Sequence, residues 1–150
     1  MKKLVLALVV AALGAMLTVS IGLGATGSNT HKLKAKLTAG QEVPKPTGVP
    51  AGATGTFTGK LVGNKLTWKL TFKGLSGKAM AAHIHLGRPG KAGNVIVALC
   101  PPRCVSGKTG TTTVKKDVRD AIEHNRTYVN VHTAKNPGGE IRGQVKATES

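Results

Sequence analysis

From Lys65 to Lys73 the chain alternates without a fault. Leu66, Trp68, Leu70 and Phe72 interleave with Lys65, Thr67, Lys69, Thr71 and Lys73. A period of two is that of a β-strand with one buried and one wet face; at helical spacing the four apolar residues would scatter around the axis. Such a segment needs a sheet around it, and the chain supplies the pieces. Lys32–Ala39 repeats the pattern with Leu33, Ala35, Leu37 and Ala39 on one side. Thr54–Val62 precedes Lys65–Lys73 across Gly63-Asn64, a two-residue hairpin turn. Ala79–Leu86, Asn94–Leu99, Gly110–Val114, Arg126–Thr133 and Glu140–Ala147 read as further strands, with turn signals such as Gly87-Arg88-Pro89-Gly90 and Asn136-Pro137-Gly138-Gly139 between them. Lys116–His124 alone has helical spacing, with Val118, Ala121 and Ile122 on one side. The expected architecture is all-β, an antiparallel Greek-key sandwich or barrel with one short helix. Twenty glycines and four aromatic residues in 150 exclude a helical bundle, and the length excludes a multi-domain enzyme.

The N-terminus has a different character. Met1-Lys2-Lys3 precedes an uncharged run of 22 residues, Leu4 to Ala25. Gly22 and Gly24, or Ser20 and Gly22, suit the positions before a signal-peptidase cut. Residues 1–25 therefore read as an export signal engaging the secretion machinery, with an uncleaved membrane anchor as the alternative. Residues 26–31 read as a linker and residues 32–150 as one domain, secreted or held at the cell surface. Cleavage after residue 25 would leave 20 basic and 6 acidic side chains, so most of the net charge of +16 belongs to the domain. In an exported chain, Cys100 and Cys104 of Cys-Pro-Pro-Arg-Cys are expected to form a disulfide that pins their loop, a gain of about 2 kcal/mol. The spacing is not that of thioredoxin-type redox motifs, and two cysteines cannot build a four-thiolate zinc site.

The candidate chemistry lies in the histidines. His83 and His85 flank Ile84 in a strand, so both imidazoles share a face, opposite Met80, Ala82, Ile84 and Leu86. In Tyr128-Val129-Asn130-Val131-His132 the valines point inward and Tyr128, Asn130 and His132 outward. Two histidines at i and i+2, with a third from a neighbouring strand, would form a three-His site for copper or zinc with one position open. Polar residues hydrogen-bonded beneath flanking loops are the plainer alternative. Glu140 and Arg142 read as a pair tying the last strand to its neighbours, and Asn130 as a hydrogen-bonding partner for a loop. No nucleophile–base set is present: there is no Gly-x-Ser-x-Gly elbow and the acids form no pair. This favours a binding module over an enzyme.

The phrases Ala81-Ala82-His83-Ile84-His85-Leu86-Gly87, Tyr128-Val129-Asn130-Val131-His132-Thr133 and Gly138-Gly139-Glu140-Ile141-Arg142-Gly143-Gln144-Val145 follow Leu37-Thr38-Ala39-Gly40-Gln41-Glu42-Val43-Pro44 in this order. Together they resemble the CHRD (chordin) domain family over about residues 33–147. Val43-Pro44-Lys45-Pro46 departs from the two adjacent prolines more usual there. The resemblance implies an immunoglobulin-like β-barrel found in extracellular proteins, among them chordin, an antagonist of bone morphogenetic proteins. The His-x-His also resembles the copper-ligand arrangement of Cu/Zn superoxide dismutases. That family's zinc-binding His/Asp cluster is missing, so the likeness supports a metal site, or a copper-handling alternative, more than a dismutase. The lysines alternate singly along strands. They imply either protection of sheet edges or attraction to anionic cell-envelope polymers. No aromatic residues interleave with them, so specific nucleic-acid binding is not expected. An extracellular protein is the other candidate partner.

Overall fold

A computed structural model describes residues 29–100 and 102–150; the expected signal or anchor lies outside them. Nine strands and one helix form in chain order: β1 (Thr30–Thr38), β2 (Thr54–Val62), β3 (Lys65–Lys73), β4 (Ala79–Leu86), β5 (Val95–Ala98), β6 (Lys108–Thr113), α1 (Lys116–Glu123), β7 (Thr127–Thr133), β8 (Ile141–Gln144) and β9 (Lys146–Glu149). Three strands, β2, β3 and β4, have the bounds the alternation predicts. The Gly63-Asn64 turn joins β2 to β3, with Gly63 at a φ of 53°. A positive φ at the first turn position matches the right-handed twist of the two strands.

The strands make one antiparallel sheet in the order β5-β4-β7-β8-β1-β2-β3-β6, with β9 also pairing β1. The sheet curls so that both halves share one core, including Leu33, Leu37, Phe57, Leu61, Leu66, Leu70, Ile84, Val129, Val131 and Ile141. This is the all-β class expected, with one short helix, and it takes the form of a curled half-barrel. β1 is its seam: it pairs β2 along its whole length, β8 at Thr38↔Arg142, and β9 from His31 to Lys34. The expected single strand Glu140–Ala147 is broken at Val145. There the chain stops pairing with β7 and crosses to β1, and Val145 drops into the core, 1% exposed. β1 starts at Thr30, so the end of the expected linker is strand. His31 lies against Glu123 of α1, at 3.7 Å.

A second departure matters more for the surface. By simple alternation Met80 and Leu86 belong to the core face of β4, yet they are 46% and 45% exposed. The register slips between Ala79 and Ala81, where Met80 is an extra residue opposite β7. Such a bulge sends the inserted side chain to the other face, and Ala79 takes the buried place. Leu86 lies at the strand's end. No helix among the described residues is long and apolar enough to cross a membrane.

The crossing of β8 over β1 depends on Gly143. A Cβ there would collide with the Lys36 carbonyl. Gly143→Ala is therefore expected to lower the unfolding free energy by about 1–3 kcal/mol in urea denaturation. Gly52→Ala, where nothing lies within 4 Å, should leave it nearly unchanged.

Candidate metal centre

The pairing of β4 with β7 brings the three histidines together. Ala81 stands opposite His132, His83 opposite Asn130 and His85 opposite Tyr128. Odd-numbered residues of β4 and even-numbered residues of β7 thus share the face away from the core. His83 Nδ1 lies 3.0 Å from His132 Nε2. One ring nitrogen from each of His83, His85 and His132 lies within 4.8 Å of the others. Donors around a tetrahedral zinc or copper stand closer than this, so an ion would draw the most distant imidazole inward by roughly an ångström.

The surroundings set the chemistry of each ring. His85 Nδ1 lies 2.9 Å from the Gly93 carbonyl, and His132 Nδ1 lies 2.9 Å from that of Pro137. A carbonyl only accepts, so both Nδ1 atoms carry the proton; the bare Nε2 of His132 then accepts from His83 Nδ1, and that of His85 keeps its lone pair. Metal-bound histidines are commonly oriented in this way by their other nitrogen. His85 Nε2 is buried and has no hydrogen-bond partner of good geometry, although the Asn130 side chain lies beside the ring. Burial, reinforced by His132 and His85, takes the His83 pKa down from 6.5 to about 4. Burial also lowers those of His85 and His132. The rings are neutral at neutral pH, the form that ligates a metal.

This face points away from the core, yet it is not the wet surface that outward alternation suggests. Tyr128, Asn130 and Arg142 are each at most 3% exposed: the loop from Gly87 to Asn94 folds over Tyr128 and Arg142, and Asn130 lies against Glu42 and Gly139. Tyr128 lies on β7 between β4 and β8 and stacks on His85, with centroids 4.9 Å apart and planes 11° apart. The Arg142 guanidinium sits 3.4 Å from the Tyr128 ring centroid and donates to the Arg88 and Lys91 carbonyls. The Tyr128 hydroxyl accepts from the Gly93 N–H at 3.2 Å. Any side chain at Gly93 would collide with the Leu86 carbonyl, so only glycine lets the loop carbonyl reach His85.

Glu140 and Arg142 do not pair, which corrects the sequence expectation. The fully buried Glu140 carboxylate accepts from the Ser76 N–H, the Ser76 and Thr133 hydroxyls and the Asn136 amide. Burial pushes its pKa up, but these hydrogen bonds outweigh that and hold it below the usual range. The network fixes the turn from Ala134 to Gly139, which carries the Pro137 carbonyl on His132. Arg142 instead faces Glu42, which burial pushes up to about 7 despite that cation and Asn130. Asn130 lies among these groups, and its Oδ1 makes no hydrogen bond. Sequence reasoning missed Ser76, Glu42, Gly93 and Asn136 as parts of the site. Glu42 and Asn136 stand in phrases already notable for their motifs; Ser76 gives no local signal. Cys100 and Cys104 are joined in a disulfide, with Cα atoms 5.2 Å apart, as expected.

Glu42 makes the site's surroundings sensitive to pH. Its pKa rises from 4.5 to about 7 on folding, so the folded chain binds the extra proton between those values. Stability from this group is full below pH 4.5 and is lost as pH rises to 7. The histidines act the other way, because the unfolded chain takes up their protons first as pH falls below 6.5. Comparison with Glu42→Gln separates the two. In metal-free protein the variant should gain on the parent between pH 4.5 and 7.5, by of order 3 kcal/mol in denaturant titrations. A difference independent of pH would show that Glu42 ionises normally.

No curated protein and no solved structure matches this chain. The CHRD domain family matches residues 33–145, from β1 through Val145, and so takes in the three histidines, the Tyr128–Arg142 stack and the loops that cover them. The chain belongs to the CHRD domain family.

Proposed function

We propose that this chain is an exported, non-catalytic binding module that holds one copper or zinc ion on His83, His85 and His132. The buried, unpartnered Nε2 of His85, beside two neutral imidazoles, is the observation that carries this reading. An apolar or fully hydrogen-bonded face would cost less than a lone acceptor left without a partner, unless a cation completes it. Three imidazoles and no carboxylate suit copper or zinc, and not calcium or magnesium, which take oxygen donors. Export is supported by the N-terminal apolar run and by the disulfide, which belongs to oxidising compartments.

The metal-free protein should take up about one equivalent of Cu(II) or Zn(II), retained through dialysis and counted by elemental analysis. Binding at a hundredfold excess over Kd should raise stability by about 2.7 kcal/mol. His85→Ala and His132→Ala should each abolish both effects. A folded parent protein that retains neither metal would sink the reading. A second reading, a small copper-handling protein or oxidoreductase, rests on the open position that three ligands leave beside half-buried His83 and His132. Turnover of a redox substrate by the copper-loaded protein, lost in His83→Ala, would establish it in place of the first.

The exposed face of β1, β2 and β3 supplies the means of retention. Cross-strand register sets Lys34 beside Thr58, then Lys69, and Lys32 beside Lys60, then Thr67. Lys36 completes the row along β1. This acid-free lattice suits a polymer of repeating negative charge at the cell envelope. Adsorption to an anionic wall polymer should weaken steeply with salt. It should fall by about tenfold or more in the Lys32→Gln, Lys34→Gln, Lys69→Gln triple variant, measured by co-sedimentation. An unchanged adsorption isotherm would exclude this face.

A further inference from the structure

Clear of the three histidines, none of which lines it, a groove of about 720 Å³ opens between the β3–β4 connection and the disulfide loop. We infer that it binds a single-chain amphiphile with an anionic head, carboxylate or phosphate. The chain would lie on Phe72, Leu75, Met80 and Val105, and the head would sit among Lys73, Lys78 and Arg103.

The groove joins two features that the folding of the sheet does not need. Its floor and walls are apolar, and two of the large hydrophobic residues most open to solvent meet there: Met80, 46% exposed, and Val105, 65% exposed. Met80 is outside because of the bulge at the start of β4, which removes it from a place in the core that alternation would have given it. A concave apolar lining with a few convergent polar groups is the usual form of a small-molecule site. The rim is cationic. Lys73, Lys78 and Arg103 line the groove, none joins an ion pair among the described residues, and no acidic residue lines it. An apolar floor with a three-cation rim rejects both a neutral sterol, which leaves the cations unused, and a bare polyanion, which leaves the floor unused.

Both walls are held before any ligand arrives. On one side the Arg103 N–H donates to the Met80 carbonyl at 2.9 Å and the Cys104 N–H to that of Ala79 at 3.1 Å, so the disulfide loop runs along the edge of β4. Arg103 has a φ of 74°, a left-handed conformation unusual for a residue with a side chain, within a loop closed by the Cys100–Cys104 bond. On the other side, Ser76 anchors the connection through the buried Glu140. The volume lies within the range of small-molecule sites, about 300–1,000 Å³, and preorganised walls keep the ordering cost of binding low.

The inference does not depend on the metal centre, and its test keeps the two apart. The oxidised protein is titrated with cis-parinaric acid, read by its fluorescence, and the bound probe is displaced with dodecanoate, dodecyl phosphate or dodecanol. Saturable binding of one equivalent is expected, and whichever of the two anions displaces the probe more tightly names the head group. Dodecanol should be at least about tenfold weaker than the better anion. Val105→Asp and Arg103→Gln should each weaken the probe by about tenfold or more, whereas His85→Ala and Lys34→Gln should bind it as the parent does. Absence of saturable binding, equal displacement by dodecanol, or indifference to both groove substitutions would overturn the inference. So would loss of binding in Lys34→Gln, which would place the probe on the sheet face.

Discussion

A strand layer buried on both sides has to satisfy every polar group it carries, and in this protein that demand falls on β4, β7 and β8. Their inner face is aliphatic and closes the core with β1, β2 and β3. Their outer face carries His83, His85, Tyr128, Asn130, His132 and Arg142, and all of it but half-buried His83 and His132 is covered too. Buried donors and acceptors without partners are costly, so the covering loops are built to supply carbonyls and N–H groups at fixed points. The Gly93 and Pro137 carbonyls take the histidine protons, and the Arg88 and Lys91 carbonyls take Arg142. The loops are ordered by the face, and the face is desolvated by the loops.

From that mutual arrangement the chemistry follows. Desolvation keeps the imidazoles neutral, and the carbonyls fix their tautomers. The ring nitrogens converge because β4 and β7 are antiparallel neighbours in one register. Tyr128, held between His85 and the Arg142 guanidinium, sets the position of His85 while keeping the cation away from the histidine nitrogens. The carboxylates are kept apart in role: Glu140 is charged and fully hydrogen-bonded, whereas Glu42 has its pKa raised toward neutrality by burial. A protein of net charge +16 thus keeps a small buried polar centre largely free of positive charge on the ligand atoms.

The two halves of the sheet divide the surface between them. The outer face of β1, β2 and β3 stays wet and basic, and the outer face of β4, β7 and β8 is roofed. At the junction, where β3 leads to β4, a bulge and a disulfide loop leave an apolar groove with a cationic rim. One sheet therefore presents three surfaces of different chemistry.

Period-two alternation and turn residues were enough to place β2, β3 and β4 to the residue, α1 to within one, and the class of the fold. They also put His83 and His85 on one face, because that depends only on neighbours two apart in a strand. The Cys100–Cys104 pair was legible as the even pair of cysteines in a chain whose N-terminus reads as an export signal. Tertiary structure alone decided the rest. Alternation says which side of a strand a residue takes, but not what lies over that side, so Tyr128, Asn130 and Arg142 read as outward and are buried. Strand order brings His132 beside His83, 49 residues away, and the loops around them give Glu140 and Arg142, only two residues apart, different partners. The bulge that turns out Met80 and the break at Val145 arise from matching one strand to two partners, a constraint no single segment contains.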